Sequence, residues 1–179
     1  MKQGAIGRFI RKTEGLAAIE FAFLAPLMII LFFGTVELCN ALICRQKVTT
    51  VAASASDLVA QDSSITGSQV SDIFSALNSI IYPYPSSGAA IIITSIKNDP
   101  NHAGQYVVDW SVAQNATPRS QGANMSVPSG LITSSGSVIL AEITYTYTPV
   151  TTGFFTGPIT MSDSFYSRPR KSLLVAYSP

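Results

Sequence analysis

Residues 16–36 form a run of 21 residues in which Glu20 is the only charge. Coiled as an α-helix, the run is about 31 Å long, close to the thickness of a bilayer's hydrocarbon core. It predicts a transmembrane helix, with apolar character continuing to residue 44. Composition bears this out: 12% of residues are charged and the mean hydropathy is +0.33, with most of the excess held in residues 16–44. The remainder reads as a Ser/Thr-rich globular chain containing Ile, Val and Tyr. The 179 residues leave room for one ordinary domain beside the helix.

Charge sets the direction of the span. The net charge is +1, but Lys2, Arg8, Arg11 and Lys12 stand against Glu14 alone in the first fifteen residues, leaving seven basic and nine acidic residues beyond. Arg45 and Lys47 follow the span but are fewer than the basic residues before it. By the positive-inside rule residues 1–15 are cytoplasmic and the bulk of the chain lies outside. A secretory signal peptide is the first rival, yet its apolar region should be shorter and closely followed by a cleavage site. The A-x-A-like Ala53-Ser54-Ala55 comes far past the run, beyond Glu37, Arg45 and Lys47. A plain uncleaved anchor is the second rival, and it leaves Glu20 unexplained.

Glu20 lies about one turn inside the apolar run. A charge within the membrane costs a few kcal/mol on lenient insertion scales, although near the edge it can snorkel. A cut after Gly15 changes its surroundings. The new α-amino group of Leu16 is cationic at neutral pH and stands four residues before Glu20 on the same helix face. The carboxylate also lies near the positive end of the helix dipole. It can then pair with its own terminus or with that of a neighbouring subunit, which makes it a register device for assembly.

A basic leader, Gly15, then Glu20 and Phe21 at the fifth and sixth positions of the trimmed chain resemble the prepilin-type cleavage site of type IV pilins. More narrowly, GLAAIEFAFLAPLMIILFFGTVEL, residues 15–38, is similar to the N-terminal region of TadE-like pseudopilins of the tight-adherence (Flp) pilus system. The matching positions are Gly15, Glu20, Phe21, Pro26, Gly34, Glu37 and Leu38. SDLVAQD (56–62), VVDWS (107–111), AEITYTYTP (141–149) and SRPRKS (167–172) look like further blocks of TadE/TadG-type proteins. TadG proteins carry a large extra domain that this length does not hold, which favours the TadE or TadF type, with the better fit to TadE.

The resemblance implies a minor pseudopilin acting structurally in pilus biogenesis and surface adherence. It would be cut between Gly15 and Leu16 by a prepilin peptidase, a membrane aspartyl protease working on the cytoplasmic face. Its partners would be bacterial inner-membrane lipid, the peptidase, other pseudopilins including a TadF-like one and the major Flp pilin, and pilus platform proteins. An uncleaved membrane scaffold binding pilus-machine components is the alternative.

Within the span, Ala18, Ala22 and Ala25 fall at i, i+4 and i+7 and could form a small-residue stripe for close helix packing. Chance in an Ala-tolerant helix explains the spacing equally well. Pro26 removes one helix hydrogen bond and should bend the span, as membrane helices tolerate. Cys39 and Cys44 diverge by roughly 140° on a helix and lie beyond disulfide range of each other. They read as two buried thiols, with an intersubunit disulfide as the minority reading.

Past the membrane, Val48, Val51, Ala52, Ala55, Leu58 and Val59 recur at helical spacing, so the helix is expected to run on to about residue 61 as a stalk. A hinge within 40–47 is the alternative. A second helix is predicted over 68–81, capped by Ser68 and ended by Pro83. Strands follow at 90–96, 105–113, 137–148 and 158–167, with a short edge strand at 173–177. In the third strand Ile139, Ala141, Ile143, Tyr145 and Tyr147 share one face. The fold class is α+β: a long transmembrane stalk helix, a second helix, and a mostly antiparallel sheet arranged as a meander. The organisation is leader 1–15, span 16–44, stalk extension 45–63 and periplasmic domain 64–179. The polar, Gly/Pro-containing stretch 115–137 is expected to be the most mobile part.

A membrane-anchored periplasmic enzyme is the competing class. The chain has no G-x-S-x-G, H-E-x-x-H or G-x-x-x-x-G-K-[ST] motif, and no catalytic residue is assigned. One histidine and two cysteines leave little for a metal site, and no cofactor or nucleic-acid surface is expected. His102 reads as a solvated turn residue, and the turn separates Asp99 from Asp109. Asp57 and Asp62 read as solvating a helix end. Arg168 and Arg170 read either as a solvated turn or as partners for acidic residues of another subunit.

Overall fold

The computed structural model describes residues 13–102, 104–132, 135–150 and 157–179, with side chains of the first helix described from Ala17 onward. Most of the expected leader, residues 1–12, and the surroundings of Gly15 and of the Leu16 side chain therefore lie outside the described residues.

Helix α1 (Thr13–Ala60) is a single run of 48 residues that continues through Pro26, about 72 Å from end to end. The hinge considered for 40–47 does not occur. Val48, Val51, Ala52, Ala55 and Val59 are all buried, so the 3.6-residue apolar spacing of the upper half gives it a face to bury. Chain continuity then favours one helix over two.

β1 (Ser64–Thr66) leads into α2 (Gly67–Ile81). The cap of α2 is Thr66, not Ser68. Thr66 is extended (φ −105°, ψ 164°), its hydroxyl accepts the Gln69 N–H at 3.4 Å, and the Gln69 side chain accepts the Thr66 N–H at 2.8 Å. This reciprocal capping box satisfies two otherwise open donors, which Ser68, with no Glu or Gln three residues later, cannot arrange. Val70, Leu77 and Ile81 form the buried face of α2.

The strands are β2 (Ala89–Asn98), β3 (Tyr106–Gln114), β4 (Asn124–Met125), β5 (Ser137–Tyr147), β6 (Ile159–Ser167) and β7 (Ala176–Ser178). The main sheet has order β4-β3-β2-β5-β6 and every pair in it is antiparallel. It is not a simple meander. β2–β3 and β5–β6 are consecutive pairs, but after β3 the chain crosses over and β5 pairs on the other side of β2. β2, with its Ala-Ala-Ile-Ile-Ile run buried or half-buried throughout, thus has a neighbour along both edges. β7 is not an edge strand of this sheet either, since it pairs in parallel with β1.

Both helices cover one face of the sheet, and one cluster joins Val48, Val51, Leu77, Ile91, Ile93, Ile143, Tyr145 and Tyr147, among others. The opposite face is covered at its far end by a smaller cluster of Ile96, Val127, Val138 and Leu140. Val127, Leu131 and Ile132 of that cluster come from the stretch expected to be mobile, and the Arg168 guanidinium holds the same stretch through the carbonyls of Gly130 and Leu131. A β-bulge opposite Ser95 and Ile96 inserts Asp109 between Val108 and Trp110, which sends those two side chains to opposite faces. Trp110 joins the helix-facing core and donates its indole N–H to the Val175 carbonyl at 2.7 Å.

β6 runs alongside α1 in the same direction. Arg45 donates to the Ser162 carbonyl at 2.7 Å, Thr49 to Asp163 at 2.5 Å, and the Ser56 and Ser167 hydroxyls meet at 3.0 Å. The register is self-consistent, because eleven helical residues and five strand residues both advance about 17 Å.

Candidate membrane and assembly site

Among the described residues, the lowest side-chain contact of the sheet with α1 is at Glu37, and it divides the helix in two. Twelve large apolar side chains from Ile19 to Val36 are 43–79% exposed. The 18-residue apolar window in this helix has a mean hydropathy of 2.2 and none of it is buried within the chain. Each such side chain left in water forgoes about 1.5–3 kcal/mol of burial, and a patch of this extent is far larger than soluble surfaces carry. The lower half is long and apolar enough to cross a membrane, and the chain reads as membrane-anchored.

The residues expected to direct assembly all lie on this bare half. Ala18, Glu20, Phe21, Ala22 and Pro26 are exposed and Ala25 is partly covered. Leu16 and Glu20 fall one turn apart within α1, the spacing that pairing requires.

Glu37 stands in the opposite condition. It is only 2% exposed; its Oε1 accepts the Tyr147 hydroxyl at 2.6 Å and the Val150 N–H at 3.2 Å. One turn on, the Asn40 carbonyl accepts the Tyr84 hydroxyl at 2.8 Å. The Tyr84 ring stands edge-on to Tyr147 and Tyr145, with centroids 6.0 and 6.4 Å apart. Burial, and then the hydrogen bond to Glu37, hold the Tyr147 hydroxyl well above the ordinary tyrosine range, so it remains a neutral donor. The three tyrosines clasp the helix where its bare half ends. In the sequence Glu37 stands out only as a motif position; the sign of this role is the inward face of β5, which ends in Tyr145 and Tyr147.

Farther out, polar pairs fix the stalk. Lys47 donates to the Ile80 carbonyl at 2.8 Å. The Thr49 hydroxyl, followed by the Ser164 N–H and the Arg45 charge, holds the Asp163 carboxyl below the usual carboxylate range. Asp57 and Asp62 do more than solvate a helix end: Arg170 pairs with Asp57, and Lys171 with Asp62 at 3.2 Å. Arg170 thus finds its acid within the chain. Cys44 is buried as expected, but Cys39 is exposed; both are free thiols.

His102 lies 65% exposed in its turn, 2.7 Å from Asp99, and Asp109 pairs with Lys97 at 2.6 Å. The Asn101 N–H and the His102 ring hold the Asp99 carboxyl below its usual range. Among the described residues no group of three or more His, Cys, Asp or Glu is placed to hold a metal ion.

The apolar helix with Glu20 near its start and Glu37 at the end of its bare half is the part of the chain for which a family match is found. Residues 15–57 match the TadE-like protein family. The TadE-like segment takes in Gly15, both carboxylates and the stalk as far as Asp57, and none of the sheet. The blocks at 107–111, 141–149 and 167–172 lie outside it. The match associates the chain with Tad pilus assembly. No curated protein and no solved structure matches the chain.

Proposed function

We propose that the protein is a minor pseudopilin of a tight-adherence pilus and that its part in pilus biogenesis is structural, not enzymatic. It enters the bacterial inner membrane with residues 1–15 cytoplasmic, spans it with residues 16–44, and presents residues 64–179 to the periplasm on the stalk extension 45–63. A prepilin peptidase cuts between Gly15 and Leu16. Glu20 then pairs with a Leu16 α-amino group, its own or a neighbour's, and fixes the register between subunits, with Phe21 beside it. Ala18, Ala22 and Ala25 allow other pseudopilins, TadF-like subunits and the major Flp pilin among them, to approach closely.

The observation that supports this reading best is the division of α1. The outer half buries one face, from Glu37 through Ala41, Cys44 and Val48 to Val59, against its own domain, while the half carrying Glu20 keeps every large apolar side chain from Ile19 to Val36 on its surface. The intact mass of membrane-extracted protein, from cells with and without the prepilin peptidase, tests it. A peptidase-dependent start at Leu16 is expected. A mass that retains residues 1–15 in both strains would leave an uncleaved scaffold with Glu20 as a snorkelling charge.

A further inference from the structure

The two sides of α1 become polar at different heights. On the side facing away from the domain, Leu38, Leu42 and Ile43 remain 52%, 58% and 46% exposed, and Arg45 is the first charged residue beyond them. On the domain side the lowest hydrogen bonds among the described residues are those of Tyr147 and Val150 with Glu37 and of Tyr84 with Asn40. Six helical residues from Glu37 to Ile43 advance about 9 Å. A lipid layer deep enough to cover Ile43 therefore reaches past the lower rim of the domain.

The rim is composed for that position. Tyr82 is 75% and Val150 83% exposed, and between their segments opens a cavity of about 560 Å³ lined by Pro83, Tyr84, Tyr145 and Tyr147. The described stretches that meet there, 73–96, 143–150 and 157–162, contain no Asp, Glu, Lys or Arg. The ion pairs at Asp57, Asp62, Lys97, Arg119, Glu142 and Asp163 are all made by residues outside those stretches. Arg45 and Lys47 of α1 reach the Ser162 and Ile80 carbonyls just above, and exposed tyrosine beside apolar side chains, with basic residues beyond them, is what the headgroup–acyl boundary of a bilayer favours.

We infer that this rim is a lipid-contact surface, seated in the headgroup layer of the leaflet from which α1 emerges, with Tyr82 and Val150 against phospholipid. The inference rests on the reading of α1 as a membrane span. Seated in this way, the domain is held to the bilayer by its own surface as well as by the helix, which fixes its tilt.

The test uses the full chain with Cys39→Ser and Cys44→Ala, reconstituted in phosphatidylcholine vesicles containing nitroxide-labelled lipid. A fluorescent maleimide is placed in turn at Val150→Cys, at Phe32→Cys in the span and at Asn101→Cys in the far turn. Quenching of about half the signal is expected at positions 32 and 150 and little at 101, the pattern of an interfacial surface. Quenching at 32 with position 150 as bright as 101 would overturn the inference while leaving the span intact. Loss of quenching at 32 as well would remove the span itself. Shielding of position 150 that appears only at high protein-to-lipid ratio would mark a contact between copies and also overturn it. Tyr82→Cys supplies the same readout if Val150→Cys fails to fold.

Discussion

Glu20 and Glu37 are two carboxylates on one helix, seventeen residues or about 26 Å apart, and they face opposite circumstances. Glu20 is exposed on the bare half, so whatever it pairs with after assembly must come from outside the folded domain. Glu37 is buried and accepts two hydrogen bonds from its own chain. The same side chain at the two ends of an apolar stretch is thus left open to an outside partner at one end, where the proposed function puts assembly, and serves folding at the other. The distinction is decided by whether the sheet reaches that level of the helix.

The largest effect is expected upstream of both. Gly15→Phe should block processing altogether, read as an intact mass that retains residues 1–15 and as loss of piliation; normal piliation with an unprocessed variant would break the assignment of Glu20. Next come the carboxylates themselves. Glu37→Ala leaves the buried Tyr147 hydroxyl without its acceptor and should cost about 1–3 kcal/mol, a fall of roughly 5 °C in the Tm of the domain. Glu20→Ala should shift stability by no more than about 0.5 kcal/mol and spare cleavage, while pilus assembly fails. Equal losses of Tm in the two variants would erase the comparison.

Titration sharpens it further. The Tyr147 hydroxyl is raised in the folded chain, so the unfolded chain ionises first, near pH 10. Stability is full below that pH and should decline as pH rises above it. In Tyr147→Phe the alkaline decline should be shallower, as followed by chemical denaturation between pH 8 and about 11. The smallest effect concerns the stalk. Asp163 is lowered in the folded chain, so its contribution is present above about pH 4 and is lost as pH falls through the folded value. Asp163→Asn should flatten the acid limb of the stability curve without moving the alkaline one.

The long helix was legible because its two halves carry two clear patterns, an unbroken apolar run and then apolar residues at Val48, Val51, Ala52, Ala55 and Val59. The alternation of β5 was equally plain, and Ile143, Tyr145 and Tyr147 are buried while Thr144 and Thr146 are exposed. Long-range pairing was not legible. Tyr147 meets Glu37 across 110 positions and Arg170 meets Asp57 across 113, and no local spacing encodes such partners. The crossover that puts β5 beside β2 also escaped reading, since a strand's burial pattern tells which face is inward and not which edge is paired. Thr66 and Ser68 are both good caps; only the position of Gln69 separates them.

The alignment of β6 with α1 has a mechanical consequence. The contacts at Arg45, Thr49 and Ser56 with Ser162, Asp163 and Ser167 are strung along the line in which a pull on the outer domain would act. Such a load bears on all of them together, in shear, and does not unzip them one after another. Tension applied at the far end of the molecule thus passes into the bare apolar half of the helix with little slack.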